Sequence, residues 1–188
     1  MSEALCEILG QRGINDWSDD MTYIWKYKTP EGFDDMLMNS DGEYLTGLWF
    51  EGSDDEKKHK PDADEKRLTI FEMTEKWLDD YFYGKPSPDI PNIKIEKLTS
   101  FRRDVSEIMK KIPFGETTTY GEIAKMIAVK RGISKMSAQA VGGAVGWNPI
   151  CIIIPCHRVI GSDGSLTGYG GGIRNKELLL LHERKYSL

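Results

Sequence analysis

The segment YGKPSPDIPNIKIEK, residues 83–97, constrains this chain more than any other. Three prolines sit in it with polar residues between them. Proline fixes φ and removes a backbone donor, so neither a helix nor a central strand runs through such a stretch. The charge changes sign at the same place. Residues 1–96 carry 11 Lys and Arg against 23 Asp and Glu, and residues 97–188 carry 14 against 7. A boundary near residue 96 therefore divides the 188 residues into an acidic domain, 1–96, and a basic one, 97–188. A basic half points to a polyanionic partner for that half, although solvated faces of chance composition give the same count.

Other functional classes fall away. No window approaches 18 uninterrupted apolar residues, so no membrane-spanning helix is expected. The opening MSEALCEILGQRG lacks the basic, apolar and small-residue succession of a secretory signal. Three cysteines, Cys6, Cys151 and Cys156, form no disulfide framework and suit a reducing, cytoplasmic compartment with access to the nucleoid, or to the nucleus in a eukaryote.

The first half reads as α/β. TYIWKYK and YLTGLWFEG have the aromatic and β-branched content of strands, and SDGE at 40–43 reads as a turn between strands. Residues 52–66, GSDDEKKHKPDADEK, are almost wholly polar and read as a solvated loop, with His59 exposed in it. Then Ile70, Met73, Trp77 and Tyr81, widened by Phe71, Leu78 and Phe82, mark one face of an amphipathic helix. Residues 1–20, with Cys6 and Trp17, are uninformative.

The second half opens on SFRRDVSEIMKKI, a helix with Val105, Ile108, Met109 and Ile112 inward and Arg102, Arg103, Lys110 and Lys111 off that face. Thr119 and Glu122 have capping-box spacing, which starts a helix near Tyr120 with Ile123, Ala124, Ile127 and Ala128 buried. Past Gly132 a second helix begins near Ser137, giving a helix-turn-helix candidate. That second helix is nearly bare: Ala138, Ala140, Gly142, Gly143, Ala144 and Gly146 leave little side chain on it. Each glycine inside a helix costs about 1 kcal/mol relative to alanine, which favours a site of close backbone approach. Another helix of the same chain fits that face, and so does the minor groove of DNA.

After it comes NPICIIIPCHRVIGSDGSLTGYGGG. The apolar run Ile150–Ile154 is long enough for a buried strand and by periodicity equally a short helix; Pro155 ends either one, leaving Cys156 and His157 at the edge of the core. A cysteine is nucleophilic as thiolate, and a neighbouring histidine favours that form. Free cysteines are more often inert buried hydrophobes, which describes Cys151 well. Glu183, on a helix with Leu178–Leu181 partly inward, can orient a histidine, while His182 beside it reads as surface. Tyr169 in GYGGG can flank a planar ligand.

PCHRVIG, preceded by AVGGAVGWNP and followed by GYGGG and LLLLHE, resembles the 6-O-alkylguanine-DNA alkyltransferases (methylated-DNA-protein-cysteine methyltransferases). The likeness spans residues 98–188 in order and spacing, and YFYGK resembles the end of that family's first domain. It implies a ribonuclease-H-like α/β first domain, a small sheet plus helix, and a mostly α second domain with a winged-helix-like helix-turn-helix. It implies Cys156 as alkyl acceptor, His157 as the group taking the thiol proton through a water, Glu183 polarising that histidine, and Asn148 bracing the turn. Tyr120 resembles the residue that helps expel the nucleotide and bonds the base. Tyr169 and Gly170 resemble the pocket wall and backbone donor, and Val159 a carbonyl contact. Ser137, Ala138, Gln139, Ala140, Gly142 and Gly143 resemble the face that enters the minor groove, with Gln139 where the family often has an arginine. The partner implied is double-stranded DNA containing alkylated guanine, and alkylthymine is a second candidate substrate. The protein is expected to be monomeric and to need no cofactor. Some relatives bind zinc in the first domain; with only Cys6 and His59 at hand, no metal is expected. A non-catalytic binder of alkylated DNA and a Cys-His hydrolase are the alternatives. Val145 and Trp147 are candidates for setting alkyl-group preference.

Overall fold

The computed structural model describes residues 21–187. The expectations about residues 1–20, including Cys6 and Trp17, lie outside them. Strands β1 (Tyr23–Tyr27), β2 (Met36–Ser40) and β3 (Leu45–Phe50) form an antiparallel meander, with the turn at 40–43 between β2 and β3. The two-residue β4 (Asp64–Glu65) adds in parallel to β1, giving the order β3-β2-β1-β4. Helix α2 (Thr69–Phe82) packs on this sheet, with Tyr27 stacked on Phe82 and its hydroxyl on Asp79 at 2.9 Å. Its buried face is Ile70, Phe71, Trp77, Leu78, Tyr81 and Phe82; Met73, assigned inward from spacing, is 49% exposed.

The polar stretch 52–66 is not a loop throughout. Ser53 caps a short helix, α1 (Asp54–His59), whose first turn is acidic and whose last turn is basic, as the helix dipole favours. His59 is half-buried between Trp49 and Trp147 rather than exposed. Asp55 on the same helix is buried.

In the second half Thr99 caps α3 (Ser100–Met109), and the expected capping box of Thr119 and Glu122 starts α4 (Tyr120–Arg131). Ser137 caps α5 (Ala138–Val145). β5 (Thr118–Thr119) pairs in parallel with β6 (Val159–Ile160), and α6 (Ile173–Tyr186) closes the chain. Buried residues of both halves form one apolar cluster, from Met36 and Phe71 through Val105 and Ile123 to Ile154 and Leu179.

The run Ile150–Ile154 is a turn, not a strand. Only Ile150 bridges, in parallel, to Leu48 of β3: Leu48 N donates to Pro149 O and Cys151 N to Leu48 O. Ile152 then takes φ +64°, a conformation that a β-branched residue adopts at a cost of about 1–3 kcal/mol. Periodicity signalled burial correctly, since all five residues are buried. It did not contain the reversal, which tertiary contacts impose. The bridge covers part of the edge of β3 and fixes the second half's reactive segment onto the first half's sheet.

Candidate active site

Pro155 stops the turn and starts a single 3-10 turn, Cys156–Arg158. All three side chains face inward: Cys156 is 4% exposed, His157 0% and Arg158 8%. Asn148 holds the preceding reversal. Its Nδ2 donates to Ile150 O at 3.1 Å and Ile154 O at 2.8 Å and lies 3.0 Å from Cys156 Sγ, while its Oδ1 accepts from Ile150 N. One amide thus satisfies the strained turn and donates to the sulfur.

Glu183 is fully buried on α6 and collects donors from four directions. His157 Nε2 lies 2.7 Å from Oε1, and Tyr81 of α2 donates to the same oxygen at 2.7 Å. Arg158 donates from Nε to Oε2 at 2.8 Å and from a terminal nitrogen to Oε1 at 2.9 Å; Gly115 N donates to Oε2 at 3.0 Å. Burial acts to raise the Glu183 pKa, but the hydrogen bonds from His157 and Arg158 and the charge of Arg158 outweigh it and hold the carboxyl well below its ordinary range. An ionised Glu183 fixes the imidazole with Nε2 as its donor. That leaves Nδ1, which is buried and has no hydrogen-bond partner among the described residues, as the basic nitrogen. Burial lowers the His157 pKa, Glu183 opposing, which favours the neutral ring.

The thiol of Cys156 is shifted the other way from an ordinary buried cysteine. The adjacent Cys151 thiol favours its anionic form, burial opposes it, and the Asn148 amide and Lys176 ammonium add to the first effect, so its pKa is lowered. Lys176 is wholly buried on α6, donating to Val159 O at 2.6 Å, and burial lowers its own pKa. The Val159 carbonyl therefore already holds one donor. Tyr169 is buried near both thiols, and burial pushes its hydroxyl far above the ordinary range. Tyr120 is half-buried at the start of α4 and donates to Thr167 O at 2.9 Å; burial, then the Cys156 charge, raises its pKa, so it keeps its proton.

Outside this core runs an open groove of about 600 Å3. Tyr120, the α5 residues Ala138, Gln139 and Gly142, and the loop from Gly161 to Gly168 line it. Ser137, Ala138, Gln139, Ala140 and Gly143 are exposed, and Gly142 is partly so. A Cβ added at Gly143 meets no atom within 4 Å, and one at Gly142 meets only the Tyr120 ring at 3.9 Å. Among the described residues no helix packs on that face, so the bareness of α5 faces outward.

The structure thus gathers Cys156, His157, Glu183, Asn148, Tyr169 and Val159 into one buried cluster, with Tyr120 between it and the groove. Trp147 stands apart, under the Arg102 guanidinium at 4.1 Å and against His59. His182 is half-buried among Phe33, Tyr81 and Tyr186 and meets Tyr81 O at 3.0 Å, rather than lying at the surface. Sequence reasoning missed Arg158, Tyr81, Lys176 and Asp55, and it read Cys151 only as a hydrophobe. Arg158 had a signal in its place beside Cys156-His157. Tyr81 and Asp55 had none, since their partners lie 102 and 96 residues away.

The family described as "6-O-methylguanine DNA methyltransferase, DNA binding domain" matches residues 100–185. A methylated-DNA–protein-cysteine methyltransferase of Haemophilus influenzae is 39% identical over 167 residues, covering 86% of each chain. One from Methanosarcina acetivorans is 42% identical over 120 residues, 64% of this chain and 73% of that one. Among solved structures, Mycobacterium tuberculosis OGT in complex with DNA superposes with a TM-score of 0.74 at 34% identity, covering 87% of this chain and 94% of that one. The buried thiol with its histidine and carboxylate therefore sits in a chain that belongs to the methylated-DNA–protein-cysteine methyltransferase family.

Proposed function

We infer that this protein repairs DNA by direct reversal, moving an alkyl group from the 6-oxygen of guanine to Cys156. The observation that carries the reading is a buried thiol held by Asn148, with the neighbouring residue in the chain, His157, buried and paired with Glu183. His157 takes the thiol proton through a water, the Cys156 sulfur attacks the alkyl carbon, and the carbon–oxygen bond breaks. Guanine leaves as an anion and is protonated. Tyr120, which keeps its proton, and the Tyr169–Gly170 backbone donate to the leaving base; Tyr120 exchanges the Thr167 carbonyl for the base to do so. The thioether is a poor leaving group, so each molecule acts once. No step calls for a cofactor.

A lesion stacked inside a duplex is out of reach of a sulfur that is 4% exposed, so the nucleotide is flipped out along the groove beside Tyr120. The bare face of α5 enters the minor groove, and Gln139 fills the gap left by the base through its amide. The second half, 97–188, is the DNA-binding and acceptor domain, a helix-turn-helix of winged-helix type. The first, 1–96, is a ribonuclease-H-like α/β domain whose acidic surface faces away from the DNA. The protein acts as a monomer on alkylguanine duplexes.

Mixing the protein with a methylguanine duplex should add one methyl group per chain, on the Cys156 peptide, and none to a Cys156→Ser variant. An unchanged mass would indicate a non-catalytic binder, and repeated turnover of an ester a hydrolase. Either result defeats the reading.

A further inference from the structure

Helix α1 belongs to the acidic first half, yet its inner side meets three parts of the proposed site. Asp55 N donates to Gly170 O at 3.2 Å, and Asp55 Oδ2 accepts from Cys151 Sγ at 3.6 Å. Lys58 Nζ reaches both Asp55 Oδ1 and Gly146 O, the latter at the end of α5, each at 3.3 Å. His59 packs edge-on against Trp147, with ring centroids 5.6 Å apart. The carboxylate of Asp55 lies so close to Gly170 that a Cβ added there would stand 1.8 Å from Oδ1 and 2.4 Å from Cγ. Gly170 is thus required by the approach of Asp55.

Burying an aspartate at 3% exposure is costly, and its ion-pair partner among the described residues, Lys58, is half-exposed. Burial raises its pKa despite Lys58. Among the described residues, the side-chain contacts of this carboxylate are with Lys58, with Cys151 of the acceptor turn and with Gly170 of the glycine-rich loop. That loop carries glycines at 168, 170, 171 and 172 and has little side chain of its own to fix it.

We propose that Asp55 is a positioning residue for the alkyl transfer, clamping the Tyr169–Gly170 segment and the Cys151 turn so that a helix of the first domain forms part of the base pocket. The proposal rests on the reading of Cys156 as the acceptor. Asp55 does not touch the reacting atoms; it sets where the loop backbone meets the base. Misplacing such a donor by about 1 Å costs on the order of 100-fold in rate.

The test compares two reactions of Cys156 in the full chain, resolved by fragmenting the peptide that holds both Cys151 and Cys156: single-turnover transfer from a methylguanine duplex, which needs the pocket, and alkylation by iodoacetamide, which needs only the sulfur. Asp55→Ala should slow the first by about 10- to 100-fold and leave the second undiminished, because the charge removed disfavours the thiolate. Asp55→Asn, which keeps the shape, should restore most of the DNA reaction. Asp55→Glu, which keeps the charge but overreaches Gly170, should show the same split as alanine and serves if the alanine variant does not fold. Wild-type transfer rates in both Asp55→Ala and Asp55→Glu overturn the proposal, as does an equal fall of both reactions across all three variants. Failure of the wild-type chain to accept methyl from DNA would instead overturn the function on which the proposal rests.

Discussion

At the scale of single residues, Glu183 decides more than any other group. It accepts from His157, Tyr81, Gly115 and Arg158 while buried, so its charge is matched on all sides. In Glu183→Gln, Arg158 keeps its charge, with the Ile112 carbonyl but no counter-ion, and the imidazole loses the anion that fixes its tautomer. Leaving a buried charge uncompensated costs about 3–5 kcal/mol, and losing an oriented base about 100-fold in rate. Urea unfolding and single-turnover transfer should show both losses. Glu183 has a folded pKa below its unfolded one, so it contributes stability above the ordinary carboxylate range. That contribution is lost as pH falls below about 4 toward the folded value. A urea midpoint followed downward through that range should decline more steeply in the wild type than in Glu183→Gln. The sequence offered Cys156 beside His157, with Glu183 as a carboxylate able to orient a histidine, and the resemblance gave the three their roles. Arg158 and Tyr81 stayed hidden because a charged or phenolic side chain carries no mark of the carboxylate it will meet.

Among the elements, α4 and α5 were the most legible, because their signals are local. Thr119 and Glu122 fix a start, and Ser137 caps the next helix by accepting from Ala140 N. The acceptor turn was illegible for the opposite reason. Its left-handed Ile152 is tolerated only because β3 and Asn148 hold either side of it. Residues 52–66 misled similarly: a helix as short as α1 needs capping and tertiary support, and hydropathy shows neither. The bare face of α5 yields a prediction with two signs. Gly143→Ala meets nothing within 4 Å and lies in a helix, so it should stabilise the protein by about 1 kcal/mol. If a DNA groove packs against that face, the added methyl group should also weaken affinity for duplex DNA. A thermal melt paired with a binding titration reads both. Unchanged affinity would remove α5 from the DNA interface.

For the whole molecule, the proline-rich segment and the charge switch suggest two separate units, while the structure joins them at the place where the chemistry resides. Leu48 of β3 bonds the acceptor turn on both sides, and Tyr81 of α2 reaches Glu183 of α6. The apolar cluster runs without a break from Met36 to Leu179. Composition cannot reveal such joining, since interface residues are as apolar as core residues and charge counts describe only surfaces. The consequence is cooperative unfolding. Tryptophan fluorescence, dominated by Trp25, Trp49 and Trp77 of the first half, and Cys156 labelling, which reports the second, should lose their native signal at one urea concentration. Tyr81→Phe removes a hydrogen bond to a charged, buried acceptor, worth about 1.5–3 kcal/mol. It should lower both midpoints by the same amount, although the substitution lies in the first half alone. Two separated transitions, or a shift confined to the fluorescence signal, would mean that the halves fold independently and that the site does not depend on their contact.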